Sequence, residues 1–369
     1  MHRLSRAHVA VGKPLPWAVY DSANQMLLRK GYVIETETQL EGLLARGMYA
    51  DAANLQPARD PKPAEQRYDP FWLWDDIIIK LGLLLRSPEK DGSAPYQVEG
   101  IARLVQVLTT RSSDAALAAI MLMMDQRRYP IVHSLHSAVL SDLVAARLEW
   151  PEDKRRSVVC AALTMNIAMI ELQQVLSNQR HPLTPEQRLA INAHPGAGEQ
   201  LLRDMGVTDP VWLQAVRDHH ETPLGTGYPR GIKDVGDEAL LLHTADVFTA
   251  KVSPRAYRKP MTGTQASRIL FTEAGMTTNN RFISVLIKEI GIYLPGSFVK
   301  LANGEIAVVY KRSASAHTPL VLSLINSQGA ALLDPVRRDT THEEFKVLAA
   351  VTRENILVNF DPAKIWKEL

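Results

Sequence analysis

The middle of the chain carries a helical pattern of apolar residues. Between residues 68 and 292, apolar positions recur at spacings of three and four, as in YQVEGIARLVQVLTT, DAALAAIMLMMDQ and HSAVLSDLVAARLEW. This period places the apolar side chains on one face of a helix. Thr184 is the predicted N-cap of one such helix, with Pro185 at its first position, where a backbone N–H has no helical partner. The pattern predicts an all-helical bundle.

Short apolar segments separated by turn signals replace this period at both ends of the chain. Near the N-terminus they flank a turn at 21–24, and a short helix is predicted at about Glu37–Arg46. After residue 293, two apolar runs flank Asn303-Gly304, a pair typical of tight hairpins, and a second hairpin is predicted at a Ser-Gln-Gly turn, 327–329. We therefore predict a mainly α protein whose central bundle lies between a small N-terminal β-containing domain and a small C-terminal β domain.

These patterns divide the chain into four segments. Residues 57–67 are rich in proline and charge, which is typical of a linker. The predicted organisation is an N-terminal domain at 1–56, the linker at 57–67, the helical domain at 68–292 and the C-terminal β domain at 293–369.

Composition restricts the class of protein. The net charge is only +2, so no bulk electrostatic attraction to nucleic acid or to a membrane surface is expected. The single cysteine, Cys160, excludes an intrachain disulfide and fits a reducing compartment. The N-terminal residues lack the apolar core of a signal peptide, and the longest apolar runs are too short or too interrupted to cross a bilayer. We expect a cytoplasmic protein that contacts neither nucleic acid nor membrane.

The candidate chemistry lies in the histidines, of which the chain has 11. Imidazole and carboxylate groups together suit divalent Fe, Mn, Ni or Zn, and two such ions sharing a carboxylate polarise a phosphodiester. Any one histidine taken alone is better explained by a capping or surface role than by metal binding. The residues by themselves therefore predict a helical domain with a histidine-rich site, and nothing more specific. The candidates are His133 and His136 in IVHSLHSAV, His194 in NAHPGAG, the adjacent His219 and His220, and Asp246 in LLLHTADVFTA.

The stretch DHHETPLGTGYPRG, residues 218–231, resembles the signature of the HD-GYP family, which reads His-His-Glu, two residues, Asp-Gly, one residue, Gly-Tyr-Pro. Further landmarks occur in the family's order: HSLH, HPGAG, TADVFTA and SPRAYRKP. The resemblance covers about residues 100–290. It implies an all-helical, HD-GYP-like fold, and active members of the family are metal-dependent phosphodiesterases that hydrolyse cyclic di-GMP.

The resemblance also implies roles for individual residues. Tyr228 matches the tyrosine that stacks on a guanine, and Arg255 and Arg258 match basic residues near the phosphates. Both roles are physically reasonable, because an aromatic face stacks on a base and a guanidinium binds phosphate in fork geometry. The implied metal ligands are His133, His194, His219, His220 and Asp246.

Five positions depart from the family pattern. The His-Asp pair that gives the family its name falls on Met165 and Asn166, and the lysine that follows falls on Met169. The aspartate of the Gly-Tyr-Pro loop is Leu224, and a glutamate that some members carry before the first histidine falls on Tyr129. Methionine is a poor ligand for these metals, and asparagine supplies no anion to bridge two cations.

Two functions from different classes follow. The main hypothesis is a catalytically degenerate HD-GYP protein in bacterial cyclic di-GMP signalling, acting as a nucleotide sensor or as a module that binds protein partners. The alternative is a metal-dependent cyclic di-GMP phosphodiesterase with a non-standard metal site, in which either Asn166 is tolerated or another acid, with Asp142 and Glu171 on nearby helices, substitutes for the missing aspartate. The remaining ligands could hold one divalent ion or none, and we expect a homodimer.

Overall fold

A computed structural model of the chain describes residues 2–4, 9, 11–23, 25–46, 48–50, 68–86, 92–274, 280–356, 358 and 360–366. It contains two compact units, residues 1–67 and 68–369. The predicted linker at 57–67 lies outside the described residues, and the predicted domain boundaries stay predictions. The fold class is confirmed, since a mainly helical bundle is accompanied by one small antiparallel sheet near each end of the chain.

The N-terminal unit is a four-stranded antiparallel sheet with one helix, in the strand order β1-β4-β2-β3. Asp21 stabilises the predicted β2–β3 hairpin, because its Oδ1 accepts hydrogen bonds from the backbone N–H groups of Ala23 (2.8 Å) and Gln25 (2.9 Å). A small apolar core of its own includes Val19 and Ile34. The elements are β1 His2–Arg3, β2 Val19–Tyr20, β3 Met26–Leu28, α1 Glu37–Arg46 and β4 Tyr49–Ala50.

The second unit begins with the helical bundle. Its predicted cap is present: the Thr184 hydroxyl accepts from the backbone N–H of Gln187, and the Gln187 side chain accepts from the backbone N–H of Thr184. The helices are α2 Pro70–Arg86, α3 Ala94–Arg111, α4 Ser113–Leu122, α5 Tyr129–Arg147, α6 Glu152–Thr164, α7 Ile170–Asn178, α8 Pro185–Asp204, α9 Pro210–Asp218, α10 Asp237–Val252, α11 Gly263–Ile269 and α12 Phe282–Ile290.

Helix α5 is the centre of the bundle. Every residue from Tyr129 to Ala145 is buried, and the helix packs against α3, α6 and α10. Small residues, alanine and serine, occur among the larger apolar ones, so neighbouring helices approach α5 from all sides. The first turns of α5 are consequently held in place by packing, and these turns carry His133.

The C-terminal sheet belongs to the same compact unit as the bundle. Its five antiparallel strands lie in the order β8-β7-β6-β5-β9, and the predicted hairpins at Asn303-Gly304 and 327–329 connect β5 to β6 and β7 to β8. Gly304 has a φ of +91°, which strongly favours glycine. The elements are β5 Phe298–Leu301, β6 Ile306–Lys311, β7 Leu320–Ile325, β8 Ala331–Asp339, β9 Val347–Val351 and a final helix, α13 Pro362–Trp366.

Arg312, directly after β6, connects this sheet to the bundle. Its guanidinium donates to the carboxylates of Asp114 on α4 (2.7 Å) and Glu289 on α12 (2.6 Å), and to the hydroxyl of Ser113 (2.7 Å). The arginine and both carboxylates are largely buried. Charge-assisted hydrogen bonds of this kind stabilise a contact whose partners would be costly to leave unpaired.

The segment Glu152–Asn178 has the length and hydropathy of a membrane-crossing helix. Of its most apolar window, 61% is buried within the protein, as is also typical of a core helix. The segment is therefore weak evidence for a membrane span.

We predict that Arg312→Gln lowers the free energy of unfolding by about 2–3 kcal/mol, because the largely buried Asp114 loses its cation and Glu289 keeps only its ion pair with Arg147. Denaturant unfolding measures the change. The matched control is Arg103→Gln, which removes an exposed i,i+4 pair with Glu99 and should cost less than about 1 kcal/mol. Equal losses in the two variants would contradict the stabilising role of Arg312.

Candidate metal centre

The rings of His194 and His219 are each oriented by a hydrogen bond to a nearby backbone carbonyl. The Nδ1 atoms of His194 and His219 each lie 2.6 Å from the backbone oxygen three residues earlier, Ile191 O and Val216 O. Both carbonyls are free to accept, since Pro195 lacks the N–H that would bond to Ile191 O and α9 ends before a residue can bond to Val216 O. A carbonyl oxygen only accepts, so each Nδ1 carries the proton and each Nε2 carries a lone pair.

The two unprotonated nitrogens face each other. Nε2 of His194 lies 3.2 Å from Nε2 of His219, and His220 brings a third ring nitrogen, with the three ligand atoms within 4.8 Å of one another. Burial lowers the pKa of His219 to about 3 and also lowers the pKa values of His194 and His220. All three rings are therefore neutral near pH 7, which is the form that binds metal ions. This donor set fits one divalent ion.

A buried carboxylate lies beside the triad. Asp246 of α10 has its Oδ1 2.6 Å from Nε2 of His133 on α5. Burial alone would raise the pKa of Asp246, but the hydrogen bond with His133 and the electrostatic influence of the neighbouring histidine rings hold it well below its usual range. The carboxylate is consequently ionised, and a negative charge next to three neutral imidazoles favours a cation at this place.

The loop after α9 is fixed by a buried acid. The carboxylate of Glu221 accepts hydrogen bonds from the backbone N–H groups of Arg230 (2.7 Å) and Ile232 (3.1 Å). Arg230 also donates to the buried carboxylate of Asp218, at the end of α9. The glutamate of the His-His-Glu motif thus holds the far end of the loop against its beginning.

Gly227 allows the loop to close on the histidines. A Cβ atom at this position would lie 2.4 Å from His220 O and 2.5 Å from Cα of Glu221, closer than real atoms approach. The backbone N–H of the next residue, Tyr228, donates to His220 O (3.1 Å). The Tyr228 ring then stacks on the His220 ring, with centroids 4.5 Å apart and planes at 22°. Glycine is therefore required for the aromatic ring to reach the metal centre.

These residues open onto one cavity of about 540 Å³, a size usual for small-molecule sites. Its wall includes four of the five predicted metal ligands, while His219 is fully buried and is not among the lining residues. The lining residues are Tyr129, His133, Asn166, Met169, Gln173, Leu176, Ser177, Gln179, Arg180, His181, Pro182, Leu183, Ile191, His194, His220, Tyr228, Asp246, Ala250, Arg255 and Tyr257.

The departures from the family pattern occupy different environments. Asn166 and Met169 line the cavity, so an amide and a thioether stand where the resemblance places polar functional groups. Met165 is fully buried in the apolar core. Leu224 is 48% exposed on the loop and does not line the cavity. Of these positions, Asn166 and Met169 are the ones that contribute to the cavity wall.

The two arginines predicted near phosphates separate in the structure. Arg255 lines the cavity, where it contacts Tyr129 and Tyr257. Arg258 is not among the lining residues, because its guanidinium donates to the backbone oxygens of Ala250 and Lys251 near the end of α10. The free carbonyls of a helix C-terminus attract such a cation.

Neither alternative acid reaches the cavity. Asp142 is buried and engaged, since Arg155 donates two hydrogen bonds to its carboxylate and Thr109 donates a third. Glu171 lines a separate cavity. The suggestion that one of them replaces the family aspartate at this cavity is therefore wrong, for reasons of position.

Several cavity residues were not identified from sequence. Gln179, Arg180 and His181, in the loop after α7, lie outside the motif residues on which the resemblance depends, although the run QRH was a visible cluster of polar groups. Tyr257 lies within the SPRAYRKP landmark, but no role was predicted for it. His243 was also missed. Its Nδ1 lies 2.8 Å from His219 O, and on α10 it precedes Asp246 by about one helical turn.

Comparisons with known proteins agree with this geometry. Residues 115–278 match the model of the HD domain family. A cyclic di-GMP phosphodiesterase of Pseudomonas aeruginosa is 25% identical over 254 residues, covering 68% of this chain and 59% of that protein. A 3′3′-cGAMP-specific phosphodiesterase of Vibrio cholerae is 29% identical over 181 residues, covering 48% of this chain and 38% of that protein.

Residues 115–278 therefore resemble an HD domain, and the chain is similar over part of its length to a cyclic di-GMP phosphodiesterase. The chain spans between about two fifths and three fifths of the length of these two relatives. A solved HDG"Y"P protein of Bdellovibrio bacteriovorus has the same fold, with a TM-score of 0.52 and 17% identity, over 78% of this chain and 98% of that one.

We predict that Mn²⁺ raises the thermal stability of the protein and that His219→Gln removes this effect. An ion at 100 times its dissociation constant stabilises the folded state by about 2.7 kcal/mol, and the substitution deletes one of the two facing nitrogens. Differential scanning calorimetry with and without Mn²⁺ measures it. The control His317→Gln changes an exposed histidine of the β domain and should keep the full shift. An undiminished shift in His219→Gln would place the ion elsewhere.

We predict that Gly227→Ala disrupts the loop and weakens Mn²⁺ binding at least 10-fold, since the added Cβ collides with the backbone that carries His220 and Glu221. Calorimetric titration with Mn²⁺ measures the affinity. Gly100→Ala on α3 is the matched control, because its Cβ meets no atom within 4 Å. That change should stabilise the helix by about 0.5–1 kcal/mol and leave the affinity unchanged. If Gly227→Ala bound the ion normally, the loop would not be part of the metal centre.

Proposed function

We propose that this protein is a metal-dependent phosphodiesterase that acts on a cyclic dinucleotide through a non-standard, single-metal site. The observation that carries the proposal is the pair of unprotonated Nε2 atoms of His194 and His219, 3.2 Å apart. Two lone pairs at this distance repel each other unless a cation lies beside both. A structural role for these buried rings gives no reason for that arrangement, whereas metal binding does.

The residues of the cavity would have different roles in such a site. His194, His219 and His220 would hold the ion, which supplies positive charge to a phosphoryl oxygen and acidifies a water molecule. Asp246 would balance the charge of the cation, and its contact with Nε2 of His133 would keep that ring in place. The carbonyl partners of His194 and His219 fix the tautomer that leaves Nε2 free.

The substrate class follows from the rest of the cavity and from the relatives. The named relatives act on cyclic di-GMP and on 3′3′-cGAMP, and both molecules pair aromatic bases with phosphodiesters. Tyr228 offers an aromatic ring and Arg255 a guanidinium on the same cavity wall. A cyclic dinucleotide therefore fits the chemistry, and we extend the proposal to bacterial second-messenger signalling in the cytoplasm, with protein partners or a homodimer still to be tested.

A second candidate is a receptor that binds the nucleotide without cleaving it. Asn166 favours this function, since it places a neutral amide on the cavity wall at the position of the family's bridging aspartate. Without a carboxylate at this position, no group would bridge a second cation to the first. The site would then lack the second ion that, in two-metal enzymes, helps to stabilise the attacking and leaving oxygens. The two candidates share the binding step and differ in turnover.

We predict slow, steady conversion of cyclic di-GMP to a linear dinucleotide under anaerobic conditions with Fe²⁺ or Mn²⁺, and its loss in His219→Gln. Asn166→Asp should raise kcat at least 10-fold, equivalent to about 1.4 kcal/mol, because it adds an anion to the cavity wall with little change of shape. Chromatography of the products over time measures both. The Asn166 substitution is more informative than a change at Met165, which lies in the core.

The outcomes separate the candidates. Turnover that requires His219 supports the phosphodiesterase. Binding of cyclic di-GMP without turnover, in the presence of both ions, would replace it with the receptor. Absence of binding and turnover would reject both.

A further inference from the structure

Helices α2 and α3 expose large apolar side chains to solvent. Trp72, Ile79 and Leu83 of α2 are 67%, 57% and 71% exposed, and Tyr96 of α3 is 77% exposed. The opposite side of α2 is also apolar and packs into the core of the bundle. A helix that is apolar on all sides is normally buried on all sides. An exposed apolar surface of this kind is typical of an interaction site.

The two helices are antiparallel and direct the same spacing outward. Residues between 80 and 84, near the end of α2, and between 94 and 104, near the start of α3, line one groove of about 640 Å³, so the helices run in opposite directions. On each helix the outward positions are four, three and four residues apart, a spacing that keeps one seam directed at a neighbouring helix. These positions, which we call the outward face, are 72, 76, 79 and 83 on α2 and 96, 100, 103 and 107 on α3.

Charges on the outward face and at its margin occur in the same order on both helices. Asp76 precedes Lys80 on α2, and the two side chains pair at 2.5 Å. Glu99 precedes Arg103 on α3, and they pair at 3.1 Å. When two helices with this order run antiparallel, the acid of one lies level with the base of the other. The outward face is therefore complementary in charge to a copy of itself, which a strongly acidic or strongly basic partner would not match.

The size of the outward face is sufficient for a dimer. Helix α2 has 17 residues and α3 has 18. At a rise of about 1.5 Å per residue, each helix extends for about 25 Å, and two helices side by side, each about 10 Å wide, present roughly 500 Å². Two such faces bury roughly 1,000 Å² in total, which is the lower limit for a specific interface.

We propose that the outward face of α2 and α3 is the interface of a homodimer, in which two copies form an antiparallel four-helix bundle. A two-fold axis parallel to the helices leaves their heights unchanged, so α2 of one copy packs against α3 of the other. Leu83 then contacts Tyr96 of the other copy, and Asp76 contacts Arg103 of the other copy. The interface does not depend on the proposed function, because the groove between α2 and α3 and the cavity of the metal centre share no lining residue.

Analytical ultracentrifugation of the full chain tests the interface. One copy has a mass of 41.1 kDa, and we expect twice this mass as the concentration rises through the micromolar range. Leu83→Glu should raise the dissociation constant of the dimer about 10-fold or more, because it buries an unpaired charge in the interface. The matched control is Leu189→Glu on α8, where the leucine is 70% exposed, and it should dimerise as wild type does.

A charge reversal tests the orientation of the two copies. Asp76→Arg should weaken the dimer about 10-fold, because the new side chain would face Arg103 of the other copy. Arg103→Asp in the same chain should restore most of the affinity. The double variant places like charges beside Lys80 and beside Glu99 within each helix. Recovery of the dimer would therefore come from contact between α2 of one copy and α3 of the other.

The other outcomes overturn the interface. A wild-type chain that stays monomeric throughout the micromolar range would leave the outward face to the N-terminal unit or to a different protein. A dimer that Leu83→Glu leaves intact, or that Leu189→Glu weakens equally, would form through another surface. If circular dichroism shows that Leu83→Glu loses helix, the charge reversal decides, and a double variant that does not recover rejects the proposal. Loss of metal binding or turnover in wild type would concern the proposed function alone.

Discussion

The close approach of two unprotonated imidazole nitrogens is the constraint on which the rest of the site depends. His194 and His219 come from different helices, yet each is oriented by the carbonyl three residues before it. Burial keeps both rings neutral, so neither can relieve the repulsion by taking up a proton near pH 7. The fold therefore places two ring nitrogens where they could bind one cation together.

The scaffold explains how such a pair is maintained. Packing on every side of α5 fixes His133, which in turn holds the ionised Asp246 of α10. Glu221 closes the loop after α9 with two backbone hydrogen bonds, and Gly227 removes the side chain that would prevent closure. Stability and chemistry are coupled here, because the same packing that buries the rings also lowers their pKa values.

The changed positions alter the charge of the cavity more than its shape. A carboxylate is missing at Asn166, but the cavity keeps a volume of about 540 Å³ and an arginine held by two tyrosines. One metal ion with a fixed guanidinium is chemically different from two bridged ions, since an arginine neither exchanges with solution nor lowers the pKa of a bound water.

The sequence alone determined the features that depend on short-range interactions. The bounds of α1, the Thr184 cap and the Asn303-Gly304 hairpin follow from neighbouring residues and were predicted correctly. The ordered motifs also located a histidine site whose rings the fold brings together. The remaining features required tertiary structure. Tyr129 and Arg255 are 126 residues apart, and only helix packing brings them into contact. Arg255 lines the cavity, whereas Arg258 binds carbonyl oxygens near the end of α10, and only the folded chain creates that cavity. The protonation of the His194 and His219 rings likewise depends on carbonyl groups that folding brings beside them.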